Sequence, residues 1–242
     1  MILSCLILIS LMASPMASAM TAEEIIQKRD SNEYVKTAIA QSKMVIVSGN
    51  REMTKTMTTY VEDNNGLTIF TNPRDRGTKF LKRGDDLWMF FPDAEDLIKI
   101  SGHMLSQGMM GSDFSYQDVM ESDKLTDLYT FELLGEEELD GRPCYILEGV
   151  AVEGKQVSYY RRKSWVDKER FVGLKEELYA RSGRLLKVMS TKKVELLEER
   201  WYPVEAVMED KLRKNTRTEF YVEAIEFNPE IPAATFTLEN LR

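Results

Sequence analysis

From about residue 43 the chain alternates apolar and polar residues over long runs, and turn residues separate the runs. "KMVIVSG" is followed by "MTKTMTTYVED", and Asn64-Asn65-Gly66 then turns the chain into "LTIFTNP". Alternation of this kind puts one set of side chains on each face of a strand. "TKFLKRGDDLWMFFPDAEDLIKISG" supplies three more short strands, punctuated by Arg83-Gly84-Asp85 and Pro92-Asp93. After an interruption, "LYTFELLGEEELDGRPCYILEGV" reads as a hairpin around Asp140-Gly141. Five further strand-like runs follow, among them "VSYYRRKSWVD", "FVGLKEELYA" and "TRTEFYVEAIEFN". The count is about ten to twelve strands. Their short connections imply that neighbours pair antiparallel.

That many twisted strands curl or close rather than stay flat. A curled sheet has a concave apolar face that needs a cover, and two segments can supply one. "TAEEIIQKRDSNEY" reads as a helix, with Thr21 and Glu24 spaced as a capping box. The second is the stretch 103–128, where alternation stops and Gly102, Gly108 and Gly111 loosen the chain. Within it "SYQDVMESDKL" has the form of a short helix. The expected fold is mainly β (α+β): a partly closed antiparallel barrel with an N-terminal helix and a short helical lid. No repeat, linker or low-complexity segment divides the chain, so residues 20–242 are read as a single domain.

Met1–Ala19 carries no charge, and "ILSCLILISLM" is an apolar run of signal-peptide length. Ala17-Ser18-Ala19 fits the small-x-small pattern before a cleavage point, so a cut after Ala19 is expected. A membrane span would need about 20 continuous apolar residues, and Ser14-Pro15 breaks the run. Export to a bacterial periplasm follows from this segment. The remaining chain keeps one cysteine, Cys144, which can form neither an internal disulfide nor a two-cysteine metal motif. Acids outnumber bases 40 to 32, giving a net charge of −8. Nucleic acid is disfavoured as a partner, because nothing supplies a broad basic face.

The chemistry-bearing candidates are few. His103 is the chain's one histidine, and Ser112 and Asp113 follow closely, so a Ser–His–Asp relay acting on a lipid-like ester is conceivable. No Gly-x-Ser-x-Gly elbow supports it. One histidine and one cysteine are too few for a zinc site. "GDD" and "PDAED" lack the spacing of a calcium loop and read as turns. No catalytic residue, metal or cofactor is assigned. The methionines carry more information. Met104, Met109, Met110 and Met120 fall in the non-strand segment with Phe114 and Tyr116. Flexible, polarizable methionine suits a surface that meets variable apolar partners. Ser115 with Asp118 can cap the short helix without any catalytic role.

"MMGSDFSYQDV", "LGEEELDGRPCYILEG", "YYRRKSWVDKE" and the ending "FTLENL" resemble the LolA/LolB-like superfamily of outer-membrane lipoprotein-sorting proteins. The resemblance covers nearly all of residues 20–242, and the Gly111–Tyr116 run is its most specific part. It implies a half-open β-barrel with helices over an apolar cavity. It also implies a role as a periplasmic carrier or chaperone for lipid or lipoprotein acyl chains. An inner-membrane transporter and an outer-membrane acceptor would be its partners, and the chain is read as a monomer. The cavity is expected to be lined from the strands by Met57, Trp88, Phe90 and Phe91. From the lid it would be lined by Met104, Met109, Met110, Phe114, Tyr116 and Met120. A lipid-sensing or adaptor module working with a membrane transporter is the alternative.

Overall fold

The computed structural model describes residues 20–121 and 123–241. The leader read over residues 1–19 lies outside the described residues. Helix α1 (Ala22–Glu33) starts as its sequence requires. The Thr21 hydroxyl accepts the Glu24 N–H at 3.2 Å, and the Glu24 carboxylate accepts the Thr21 N–H at 2.8 Å.

Six strands follow: β1 (Thr37–Ser48), β2 (Arg51–Glu62), β3 (Asn65–Phe70), β4 (Lys79–Arg83), β5 (Asp86–Phe91) and β6 (Asp96–Ile100). After a connector come β7 (Tyr129–Leu139), β8 (Arg142–Ala151), β9 (Arg161–Asp167), β10 (Gly173–Tyr179), β11 (Leu185–Leu197), β12 (Arg200–Asp210) and β13 (Thr216–Phe227). Among the described residues these thirteen strands, against the ten to twelve or so expected, form one curled, unclosed antiparallel sheet. Its order is β6-β5-β4-β3-β2-β1-β13-β12-β11-β10-β9-β8-β7. Every neighbour is a sequence neighbour except β1 and β13, which pair through Ala38–Ser48 and Thr216–Phe227.

The turns follow their chemistry. Leu139 faces Arg142, and Asp140 and Gly141 both take positive φ, 51° and 78°, as a two-residue hairpin turn demands. The first hairpin turns slightly earlier than Asn64-Asn65-Gly66 suggests. Glu62 faces Asn65, so Asp63 (φ 49°) and Asn64 make the turn, and Gly66 already belongs to β3. This register opposes Met57 to Phe70 and Tyr60 to Leu67. A slip of one residue would send each buried side chain to the wrong face.

Both faces of the first half-sheet are covered. On the inner face, Met44, Ile46, Met57, Phe70, Phe80, Leu87 and Met89 form one buried cluster. Phe70, Phe80 and Tyr116 meet edge to face, at 5.4 and 5.7 Å between ring centres. On the outer face, Leu67, Leu81 and Phe90 are covered by Ile231, Phe236 and Leu241 of the C-terminal segment. Each such side chain fully removed from water stabilises the fold by roughly 1.5–3 kcal/mol. In the second half-sheet, Ile25 and Ile26 of α1 pack on Leu147 and Val166. The helix therefore covers the inner face of β8 and β9.

Candidate ligand-binding cavity beneath the lid

Strands β6 and β7 are consecutive in the chain yet form opposite edges of the sheet. Residues 101–128 therefore have to run from edge to edge, and they do so across the inner face. This connector holds two 3-10 turns, Gly102–Ser106 and Met109–Gly111, then α2 (Tyr116–Met120) and α3 (Leu125–Leu128). The short helix expected over "SYQDVMESDKL" forms over Tyr116–Met120, and α3 begins only at the last residue of that stretch, Leu125. At the start of α2 Ser115 and Asp118 make a reciprocal capping box, as their spacing suggested.

The loop before α2 is tight. The Met109 N–H donates to the Phe114 carbonyl at 2.7 Å, and Gly108 bridges to Ser115. A Cβ on Gly108 would lie 2.3 Å from the Ser112 carbonyl oxygen, so only glycine fits there.

Three aspartates fasten the lid to three different parts of the molecule. Asp30 of α1 accepts the Leu125 and Thr126 N–H groups (3.2 and 3.1 Å) and the Thr126 hydroxyl (2.9 Å), capping α3. Asp113 accepts the hydroxyls of Thr216 (2.7 Å) and Thr218 (2.8 Å) on β13. Asp118 accepts the Ser115 N–H (2.7 Å), the Tyr159 hydroxyl (2.6 Å) and Lys187 Nζ (2.7 Å). Burial, reinforced by the Asp118 carboxylate, keeps the Tyr159 phenol protonated well above its ordinary value.

The Ser112–His103–Asp113 relay is not assembled. Ser112 is fully buried, and its hydroxyl donates to the Phe114 carbonyl at 3.1 Å. Asp113 is committed to β13, and His103 is an exposed residue of the first 3-10 turn. Among the described residues no group of three or more His, Cys, Asp or Glu is placed to hold a metal ion.

Eight of the ten residues that the sequence singled out for the cavity come together. Met57, Met109 and Tyr116 lie in the inner cluster, with Phe91, Met104, Met110, Phe114 and Met120 packed against it. Trp88 and Phe90 do not join them; they sit on the outer face, under the C-terminal segment. In β5, Leu87, Met89 and Phe91 face the lid, and the two residues between them face away. With both faces covered, "LWMFF" is apolar throughout, and its parity cannot be read from hydropathy.

An apolar cavity of about 290 Å³ remains at the seam between the lid and α1. Its floor comes from the central strands: Met44, Met189, Ala206, Phe220 and Val222. Met109, Phe114 and Val119 of the lid form its roof. The sheet is loosest here. Strands β12 and β13 pair only from Glu205 to Met208, against Thr218 to Tyr221. Pro203, which has no N–H to donate, lines the cavity beside the unpaired stretch. Phe114 and Met109 are the only cavity residues that motif and composition pointed to. The strand residues could have been found from inward parity along β13, where Thr218, Phe220 and Val222 alternate.

A second compartment of about 430 Å³ adjoins the first, and charged side chains share its wall with apolar ones. Glu33, Phe114, Asp118, Met189 and Tyr202 line both. Its wall holds a buried charge cluster. Arg29 of α1 pairs with Glu33 (Nε–Oε1 3.0 Å) and contacts Glu176 of β10. Gly173 makes room for it, since a Cβ there would lie 2.8 Å from the guanidinium carbon. Arg162 of β9 stacks over the Tyr129 ring at 4.5 Å, and its Nη1 lies 3.5 Å from Glu176. Burial would raise the Glu176 carboxyl, but the two arginines and the Ser164 hydroxyl bring it down to about 2. Burial would likewise lower both guanidinium groups, and Glu176 overrides it. The cluster is therefore ionised on both sides.

A curled antiparallel sheet, a helix over one half of its inner face and a lid crossing from edge to edge define a protein of the LolA-like class. Solved structures bear this out. A DUF1329 family protein from Desulfovibrio piger matches with a TM-score of 0.82 and 27% identity, over 91% of this chain and 97% of that one. A domain ascribed to an outer membrane lipoprotein-sorting protein from Vibrio parahaemolyticus matches at 0.78 and 27%, over 90% and 97%. A LolA superfamily protein from Nitrosomonas europaea matches at 0.75 and 26%, over 92% and 100%. The chain belongs to a family described as "Uncharacterized protein", matched over residues 62–242. No curated protein matches it.

Proposed function

We propose that this protein is a periplasmic carrier that shields the acyl chains of lipids or lipoproteins from water. The observation that carries the reading is the apolar cavity of about 290 Å³ between the central strands and the lid. Methionine, aromatic and aliphatic side chains make most of its lining, and Glu33, Asp118, Thr191 and Tyr202 complete it. Each methylene moved from water into it would contribute about 0.8 kcal/mol, so a medium-length chain suffices for useful affinity. The Vibrio relative, whose structure is ascribed to lipoprotein sorting, supports the same cargo class. Among the described residues no helix is long and apolar enough to cross a membrane. The leader read in residues 1–19 supports the compartment. Residues 20–242 would act as one unit, handing cargo from a membrane transporter to an acceptor.

The test is native mass spectrometry and lipid extraction of the protein purified from its exported form, beside the Ala206→Phe variant. Ala206 lies on the cavity floor, and a phenyl ring there fills the space. The expected result is a co-purifying lipid or acylated peptide in the parent protein and none in the folded variant. Equal occupancy in both proteins, or none in the parent after co-expression with lipoproteins, would sink the reading.

A further inference from the structure

The apolar cavity does not end in a hydrophobic wall. Across Phe114, Asp118, Met189 and Tyr202 it adjoins the second compartment, whose wall carries the buried charges. An occupant with a greasy chain in the first would therefore present its other end to the second.

One side chain in that compartment is incompletely satisfied. The Arg162 side chain is only 7% exposed, and its buried Nε has no hydrogen-bond partner among the described residues. The rest of its guanidinium is engaged, by Glu176 at 3.5 Å and by the Tyr129 ring. The neighbouring Arg29 contrasts with it: its Nε donates to Glu33, its Nη2 to Glu33 at 3.1 Å and its Nη1 to Glu176. A buried donor without a partner is costly, so a folded protein retains one where something else accepts from it.

The dimensions limit that partner. At about 290 Å³ the apolar cavity stands at the lower end of small-ligand pockets, which run from roughly 300 to 1,000 Å³, a size that suits one medium-length chain.

We infer that the occupant is a single-chain amphiphile whose head carries a carbonyl or carboxylate oxygen, and that Arg162 Nε–H donates to this oxygen. The inference rests on the carrier reading and adds the head-group contact to it. The shared chemistry is an acceptor oxygen at the first carbon of the chain. A free fatty acid and an acyl ester both provide it.

The experiment displaces a fluorescent apolar probe from the full exported chain with three twelve-carbon ligands below their micelle concentrations. Dodecanoate carries a carboxylate, monododecanoylglycerol an ester carbonyl, and dodecyltrimethylammonium no acceptor. Each is measured on the parent protein and on Arg162→Lys, which keeps the charge beside Glu176 but lacks the Nε–H. The parent should bind one or both acceptor ligands at least about tenfold more tightly than the ammonium ligand, the worth of one charge-assisted hydrogen bond. Arg162→Lys should lose that advantage while still binding the ammonium ligand. Loss for dodecanoate alone identifies a carboxylate, and loss for the glyceride alone identifies an ester. If the chains bind but head group and variant make no difference, the head-group contact is overturned and the carrier reading stands. If no ligand binds the parent, both fall. Should the variant fail to fold, the arginine Nε–H signals of the parent in NMR decide the matter. One buried signal should move with an acceptor ligand and stay with the ammonium ligand. No movement with any ligand overturns the inference.

Discussion

Asp118 Oδ2 lies 2.7 Å from Lys187 Nζ, and both side chains are almost entirely buried. The same carboxylate caps α2 and accepts the Tyr159 hydroxyl. One residue thus ends the lid's loop, starts its helix and joins it to β11. Asp118→Ala removes all three and leaves the Lys187 ammonium buried without this partner. The variant should lose about 1–3 kcal/mol in urea unfolding. Amide exchange should accelerate over residues 115–121 more than in the central strands. Uniform acceleration across the sheet would show that Asp118 serves global stability and not the lid.

Asp113 and Thr218 form a second fastening. The Asp113 N–H donates to the Thr218 hydroxyl at 2.8 Å, and that hydroxyl donates to the Asp113 carboxylate, also at 2.8 Å. Thr218→Val keeps the shape and removes both bonds. A cost of about 1–3 kcal/mol is expected, because the buried carboxylate loses a donor. His103→Ala, at an exposed position, should change stability by less than about 0.5 kcal/mol. Thermal or urea unfolding of the two variants makes the comparison.

Phe236 is 5% exposed and lies with Phe90, Leu67 and Leu81 on the outer face. Phe236→Ala should destabilise by about 3–5 kcal/mol. Binding of an apolar probe in the folded protein should not change, since the cavity is on the other side of the sheet. A loss of binding with the fold intact would place part of the ligand site on the outer face.

The pH dependence should follow Asp167. This buried carboxylate accepts Arg142 Nε at 2.8 Å, Arg170 Nε at 2.8 Å and the N–H groups of Glu169 and Arg170. Burial opposes ionisation, but these donors outweigh it and hold the carboxyl well below the usual aspartate range. A lowered folded value means stability present above the unfolded value, about 3.9, and lost as pH falls below it. Asp167→Asn should therefore cost about 3 kcal/mol at pH 7. The gap between parent and variant should narrow below about pH 4. Urea unfolding at pH 7, 4 and 3 checks this, and a gap that widens toward acid would refute the assignment.

Much of this was legible in local sequence. The alternating runs marked the strands, Asp140-Gly141 marked a hairpin, and the pairs Thr21/Glu24 and Ser115/Asp118 marked two helix starts. Each depends on contacts within a few residues, which the local chain dictates. Period two also established that alternate residues part company across a strand. It does not say which set faces inward, and where both faces are covered, as in Leu87–Phe91, the alternation itself disappears. Trp88 and Phe90 went to the outer face for that reason.

The cavity depends on relationships that no local pattern encodes. Pairing of β1 with β13 joins strands at opposite ends of the chain, and it leaves β6 and β7 as the two edges. That topology alone drives the connector across the inner face and turns methionine-rich loop residues into a roof. The buried cluster brings Arg29 of α1 against Arg162 and Glu176 of the consecutive strands β9 and β10, far along the chain. By itself the sequence determined a curled antiparallel sheet with a capped helix and a capped lid. Only the tertiary structure decided which face became the cavity and which charges line it, because long-range strand pairing and burial set both.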